Sequence, residues 1–171
     1  IEEDTPEERL ELERGRKHDP RAMNQAFRSL LSLRAHPAQG ERAVRAGIDL
    51  LREMQAICRK NSIRLLCLYI PSPTESDWKA HTEVFERFRK EFSLTDENLR
   101  AESRMADAFL DGVRSSGIET LDAREILVPD AGPYFWNVEF HLNVRGHEKI
   151  SEALRARIAQ WKDFPAPRRP R

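Results

Sequence analysis

The chain has 171 residues, and its 29 Lys and Arg balance 29 Asp and Glu, enough for one domain with its own core and short for two. A net charge of zero without a basic stripe excludes the electrostatic footprint of a nucleic-acid binder. Charged residues make up 34% and apolar ones 39%, which describes solvated helix faces around a modest core rather than disorder. No apolar run approaches the roughly 20 residues that span a bilayer, so no transmembrane segment is expected. Two cysteines, Cys58 and Cys67, exclude a disulfide-dense scaffold and a four-Cys zinc site. Ile1 rather than Met stands first, with no charged-apolar-small leader behind it, and reads as a processing or cut boundary.

In chain order, Thr5-Pro6 with Glu8 forms a capping box with Pro at the first helical position, opening an almost wholly charged helix that stops near Gly15. Residues 1–18 therefore read as a solvated arm. Asp19-Pro20 repeats the cap, and Met23, Phe27, Leu30 and Leu31 follow at helical spacing. The stretch His36-Pro37 to Gly40 predicts a break, and a third helix is expected over 41–60 with Val44, Ile48, Leu51, Met54 and Cys58 on one stripe. Residues 63–70, rich in branched and aromatic side chains and stopped by Pro71, read as a strand buried on both faces of a parallel sheet. Helical spacing returns over 78–92 through His81, Phe85, Phe88 and Phe92. Thr95-Asp96 caps a longer helix that ends at Gly117. Residues 118–121 read as a second strand with Asp122 at its carboxyl end. Residues 123–142 are expected to be irregular, Asn143 caps a last helix to about Trp161, and residues 163–171 form a Pro- and Arg-rich tail.

Helices and strands alternating in this way predict an α/β fold with parallel pairing. Only two strands are recognisable, however, and three or more are normally needed for a stable sheet. Either further strands are hidden or residues outside this sequence complete the sheet.

The most informative segment is Tyr134-Phe135-Trp136-Asn137-Val138-Glu139-Phe140-His141-Leu142-Asn143. Glu139 precedes His141 by two residues, so in an extended loop the two side chains share a side. The carboxylate can then accept from one imidazole nitrogen and fix the tautomer, which leaves the other nitrogen to take a proton from a hydroxyl nucleophile. The helix starting at Asn143 anchors the loop.

With the Gly146-His147 pair that follows, this segment resembles the C-terminal catalytic block of the SGNH (GDSL-type) hydrolase superfamily, closest to the branch of alginate O-acetylation proteins and related esterase-like domains. The stretch Tyr69-Ile70-Pro71-Ser72-Pro73-Thr74-Glu75 is similar to that branch's strand-then-proline segment, and Ile118-Glu119-Thr120-Leu121-Asp122 to its next strand. The resemblance covers residues from about 40 to 160. It implies a three-layer flavodoxin-like SGNH hydrolase fold, incomplete in this helix-rich chain with few strands, and makes residues 19–162 its C-terminal portion. It also implies His141 as general base, Glu139 as orienting acid, and Asn143 and Gly146 as structural cap and close-packing positions. The implied activity is hydrolysis or transfer of an acyl group such as acetyl on oxygen esters, among them acylated carbohydrates, without a cofactor. An extracytoplasmic location belongs to the same implication. Two departures stand out. The acid is Glu where the family has Asp, and neither a Gly-Asp-Ser nucleophile block nor a Gly-Asn-Asp oxyanion block occurs in these residues, so the nucleophile is expected outside them.

Other candidates read more simply as structure. Helical rotation carries His147 away from His141, and no third strong ligand accompanies them, so no metal site is expected. Ser72, Thr74 and Ser76 lack the glycines of a nucleophile elbow and read as a polar loop. Asp122 can line a cleft at the carboxyl edge of the sheet but reads as a turn residue. The aromatic stripe Trp78, Phe85, Phe88, Phe92 reads as core, as do Cys58 and Cys67. Tyr134, Phe135 and Trp136 read as core or as a stacking surface for a sugar. The alternative to an enzyme is a non-catalytic helical interaction module built on a hydrolase remnant.

Overall fold

The computed structural model describes residues 25–129, 132–136 and 141–161. The expected arm 1–18, the Asp19-Pro20 cap, Met23, Glu139 and the tail 163–171 lie outside the described residues. The elements are α1 (Gln25–Ala35), α2 (Pro37–Lys60), β1 (Leu66–Tyr69), a short α3 (Pro73–Ser76), a 3-10 turn (Trp78–His81), α4 (Thr82–Glu91), α5 (Asp96–Leu99), α6 (Ala101–Ser115), β2 (Glu119–Asp122), a short α7 (Arg124–Leu127) and α8 (Val144–Ala159). The chain is mixed α/β and helix-rich. Its two strands pair in parallel, with Leu66 opposite Glu119 and Tyr69 opposite Asp122.

The break expected over His36-Pro37 to Gly40 narrows to His36, which separates α1 from α2. Pro37 occupies the start of α2, and the helix runs straight through Gly40. A Cβ on Gly40 would sit 2.7 Å from Leu33 Cδ2 and 2.8 Å from Met105 Sδ. That glycine serves close packing of α2 between α1 and α6 rather than a turn. Farther along, Gly47 faces the Phe109 ring, and a Cβ on Gly112 would collide with Ile48, so small residues set the α2–α6 approach.

Thr95 caps as expected by accepting from Asn98 N at 3.2 Å, but the helix it opens divides at Arg100 into α5 and α6. Gly117 takes φ +72° and stops α6, the left-handed conformation that glycine adopts without strain. The strand expected over 63–70 is shorter. Ile63 and Ile70 are exposed, and β1 is half-buried along its length rather than enclosed on both faces. Among the described residues no strand pairs with the edge of β1 away from β2.

Two apolar clusters hold the elements. Phe27, Leu30 and Leu31 of α1 pack with Phe85, Phe88, Phe92 and Leu94, the Phe27 and Phe88 rings stacking at 4.4 Å. The aromatic stripe is therefore core, with Trp78 partly buried against it. The second cluster joins Ala123, Leu127, Tyr134, Phe135 and Ile150, with Leu68 of β1 and Leu142 against it, and so ties α7 and α8 to the sheet.

Asn143 caps α8 by accepting from Gly146 N at 2.9 Å. A Cβ on Gly146 would stand 2.5 Å from the Tyr134 carbonyl oxygen and 2.9 Å from Leu142 Cδ2, and a backbone oxygen in this position has little room to move. Gly146→Ala is expected to destabilise the protein by about 1–3 kcal/mol through overpacking, read as a lower urea midpoint at unchanged slope. An unaltered midpoint would show that the 134–143 segment is not packed against α8 as described.

Candidate functional site

Both strands deliver their carboxyl ends to one edge of the sheet, the edge at which open α/β sheets carry ligands. Three pieces of chain meet there: residues 70–81 after β1, α7 after β2, and a strap formed by residues 132–136 going out and 141–143 coming back.

The strap is a two-limbed ribbon. Phe135 and Leu142 form an antiparallel bridge, Trp136 N donates to His141 O at 2.8 Å, and Asn143 N donates to Tyr134 O at 2.8 Å. Asn143 Nδ2 reaches Pro133 O at 2.9 Å, and Arg145 Nη1 reaches Gly132 O at 2.9 Å. Alternation along extended limbs decides which side chains face out. Phe135 is buried and Leu142 packs against the same cluster, so their neighbours Trp136 and His141, directly opposite one another, share the outer side. Trp136 is 52% exposed, and His141 is exposed as well. Of the three aromatics, Tyr134 and Phe135 are core and Trp136 is surface.

The outgoing limb is fastened by a carboxylate from across the fold. Asp77 Oδ2 accepts from Tyr134 N at 2.7 Å and from Phe135 N at 3.3 Å. His81 Nε2 lies 3.4 Å from the same oxygen, and both side chains are buried. Burial lowers the His81 imidazole below its ordinary value, although Asp77 pulls the other way.

Beside this brace lies a second buried polar group. Ser72 and Thr74 hydroxyls donate to Glu102 Oε2 at 2.9 and 2.6 Å. Glu75, with a side chain 2% exposed, accepts from Tyr69 OH at 2.7 Å, from Ser72 N at 3.1 Å and from Ser103 Oγ at 3.3 Å. Arg124 bonds Asp122 at 2.7 Å and Asp107 at 2.8 Å, with Glu75 at 3.7 Å. Burial pushes Glu102 from 4.5 up to about 7 against the two hydroxyl hydrogen bonds, with the negative charge of Glu75 adding to the rise. The Tyr69 phenol is raised by burial and by Glu75 and stays a donor. Asp122 is held below the usual carboxylate range: burial opposes this, but the Arg124 hydrogen bonds win.

Residues 71–76 are thus not a loose loop. Ser72 starts α3, and Ser72, Thr74 and Glu75 are committed to an internal network. Asp122, expected as a turn residue, is instead the last residue of β2, opposite Tyr69, and its carboxylate is bound by its neighbour two positions on, Arg124 N donating to it at 3.0 Å. His147 lies in the first turns of α8, its N–H donating to Asn143 O at 3.0 Å. Among the described residues no three His, Cys, Asp or Glu side chains converge as a metal-ligating group, and no helix is long and apolar enough to cross a membrane. Asp77, His81 and Glu102 are the participants that sequence reasoning passes over. The partners of Asp77 and Glu102 lie 57 and about 30 positions away, which no local spacing signals, whereas His81 meets Asp77 four positions before it. No family model, no curated protein and no solved structure matches this chain.

The folded chain binds the Glu102 proton more tightly than the unfolded one, so this group lowers stability as pH rises from about 4.5 to about 7, by of order 3 kcal/mol when complete. His81 acts oppositely: the fold disfavours its charged form, so stability is lost as pH falls below 6.5. Glu102→Gln is expected to leave stability at pH 5 near the wild-type value and to raise it by about 1–3 kcal/mol at pH 8, measured by urea unfolding. A variant no more stable at pH 8 than the wild type would rule out the buried carboxyl described.

Proposed function

We propose that the chain is the C-terminal part of an SGNH-type ester hydrolase or O-acyltransferase acting on oxygen esters, with acylated carbohydrates as the substrate class. The observation that carries the reading is the setting of His141: an exposed imidazole on a strap fastened to the segments that leave the carboxyl ends of two parallel strands. Catalytic geometry needs a side chain open to substrate on a support that does not move, and His141 has both. The capped start of α8 directly behind it supplies the anchor.

The three-layer flavodoxin-like architecture belongs to the same proposal. A two-stranded parallel sheet, with β1 open on one side, fits a fold whose remaining strands come from residues outside these 171. Parallel strands are normally enclosed on both faces, and among the described residues β1 is only half-buried.

In the mechanism, Glu139 accepts from one His141 nitrogen and fixes the tautomer. The other nitrogen takes the proton from a serine hydroxyl supplied from outside these residues. The serine oxygen bonds to the ester carbonyl carbon, and backbone donors steady the oxyanion. Collapse breaks the bond to the alcohol oxygen, which receives the proton from His141. Water or a second alcohol then repeats the sequence on the acyl-serine. Atoms and charge balance without a cofactor. Trp136, alongside His141 on the outer side, offers a flat apolar face to the C–H surface of a sugar ring.

In the intact protein, His141→Ala is expected to lower turnover of an aryl acetate by about a thousandfold or more and to abolish labelling by a fluorophosphonate. Hydrolysis at the wild-type rate by that variant ends the proposal. Trp136→Ala is expected to raise KM for an O-acetylated glycoside about three- to tenfold with kcat retained, and an unchanged KM removes the sugar-stacking role.

One observation favours a second reading, an interaction module without catalysis. Leu50 and Ile57 of α2 are 59% and 61% exposed and, with exposed Met54, recur on one helical face, a surface suited to an apolar partner. Absence of fluorophosphonate labelling of the intact protein at every pH from 5 to 9 supports this reading over the enzyme.

A further inference from the structure

We propose that Asp77 is a positioning residue for His141, acting through the backbone amides of Tyr134 and Phe135. The inference rests on the reading of His141 as general base and adds to it the element that sets where the imidazole stands.

A carboxylate removed from water is stable only when donors surround it. The Asp77 side chain is 3% exposed, and the donors it meets are two consecutive backbone N–H groups of the outgoing limb. The 2.7 Å contact to Tyr134 N is at the short end of the N–H···O range. The strap is also shaped around the carboxylate. A Cβ on Gly132 would collide with Asp77 Oδ1, so only glycine lets the limb come this close. From Tyr134 the restraint passes to the returning limb in one step, through Asn143 N on Tyr134 O. From Phe135 it passes through the bridge to Leu142 and the neighbouring bond from Trp136 N to His141 O. No more than one residue separates either Asp77-bound amide from a cross-strap contact to the limb carrying His141.

The other end of Asp77 is equally fixed. Asp77 N donates to Pro73 O at 2.9 Å, closing α3, and α3 is held to α6 by the Glu102 bonds to Ser72 and Thr74. His81, also buried, backs the carboxylate from the 3-10 turn, with its ring 5.6 Å from Phe85 of the main core. Asp77 therefore joins the rigid part of the molecule to the strap. Local spacing offers no hint of it, because the contacts span 57 and 58 positions.

A position that merely stabilises the fold and one that places His141 give different results in the intact protein. Asp77→Ala removes the acceptor, and Asp77→Asn keeps a neutral oxygen in the same place. For Asp77→Asn, amide hydrogen exchange at Tyr134, Phe135, Trp136 and Asn143 is expected to quicken about tenfold, while α6 amides such as Leu110 and Val113 keep their wild-type rates. The His141 imidazole resonances, assigned with His141→Gln, are expected to shift. Turnover is expected to show kcat reduced about tenfold with KM within twofold, and a further tenfold loss of kcat in Asp77→Ala, so that the Asn variant counts as a partial rescue. Should the Ala variant fail to fold, the Asn variant decides alone. Exchange that quickens evenly over the whole protein, or His141 resonances and kcat that stay at wild-type values, overturns the proposal. The exchange and resonance readouts do not depend on turnover. If His141→Ala leaves esterase activity intact, the enzymatic reading fails, and the local exchange still shows whether Asp77 holds the strap.

Discussion

A carboxylate withdrawn from water must find donors, and in this chain the search for donors draws two distant segments together. Asp77 follows β1, and the amides it takes belong to the strap that follows α7, more than fifty positions later. Without that bond the outgoing limb would present two N–H groups to a buried oxygen-poor surface, each an unsatisfied donor worth about 1–3 kcal/mol. With it, the limb is pinned, the bridge between Phe135 and Leu142 forms on a fixed base, and Asn143 can cap α8 while its own N–H meets Tyr134 O. The strap, the cap and the close approach at Gly146 are one construction. His141 stands on it because the alternation that buries Phe135 and Leu142 turns residues 136 and 141 outward.

The sheet obeys a different constraint. Parallel strands are ordinarily covered on both faces and paired on both sides unless they are edges. Here β2 is flanked by α6 and by the Arg157–Glu119–Arg64 ion network, with the Glu119 carboxyl held low by Trp161, Arg64 and Arg157 against the effect of burial. Among the described residues no strand pairs with the free edge of β1, whose residues Leu66 to Tyr69 are half-buried. Leu50, Met54 and Ile57 of α2 are exposed as well.

Much of this was legible in the residues. Thr95 and Asn143 are caps, Gly117 is a stop, and the spacing of Phe85, Phe88 and Phe92 is a core stripe, because each of these depends on neighbours within a turn or two; the parallel pairing of the two strands is long-range and was legible only from the helices that alternate with them. The misread positions depend on distant partners. Gly40 looks like a break but is a contact point, since Leu33 and Met105 claim the space a side chain would fill. The prolines around Ser72 suggest a loose loop, yet Pro73 starts a turn of helix that Glu75 closes by accepting from Ser72 N. Asp77 and Glu102 carry no local pattern; burial and long-range hydrogen bonds make them what they are, whereas His81 sits on the helical stripe with Phe85 and meets Asp77 four positions before it. Of the expected pair at the site, His141 is exposed on the strap, and Glu139 lies outside the described residues.

The internal hydroxyls nearest the strap are closed to the chemistry proposed for it. Ser72 and Thr74 give their protons to one oxygen of Glu102, and Ser72 N is spent on Glu75, so neither hydroxyl is left to an imidazole. Relaxing that network to free a nucleophile would strand the carboxyls of Glu75 and Glu102 beside one another. On the proposed reading, the alcohol that His141 activates arrives on other residues. A strand added in parallel along the free edge of β1 ends at the same edge of the sheet as β1 and β2, because parallel strands share a direction. The loop leaving such a strand emerges where residues 70–77 emerge, beside the carboxylate that holds the strap. On this reading the open edge and the exposed imidazole are two halves of one requirement: the surface that completes the sheet also brings the nucleophile to its base.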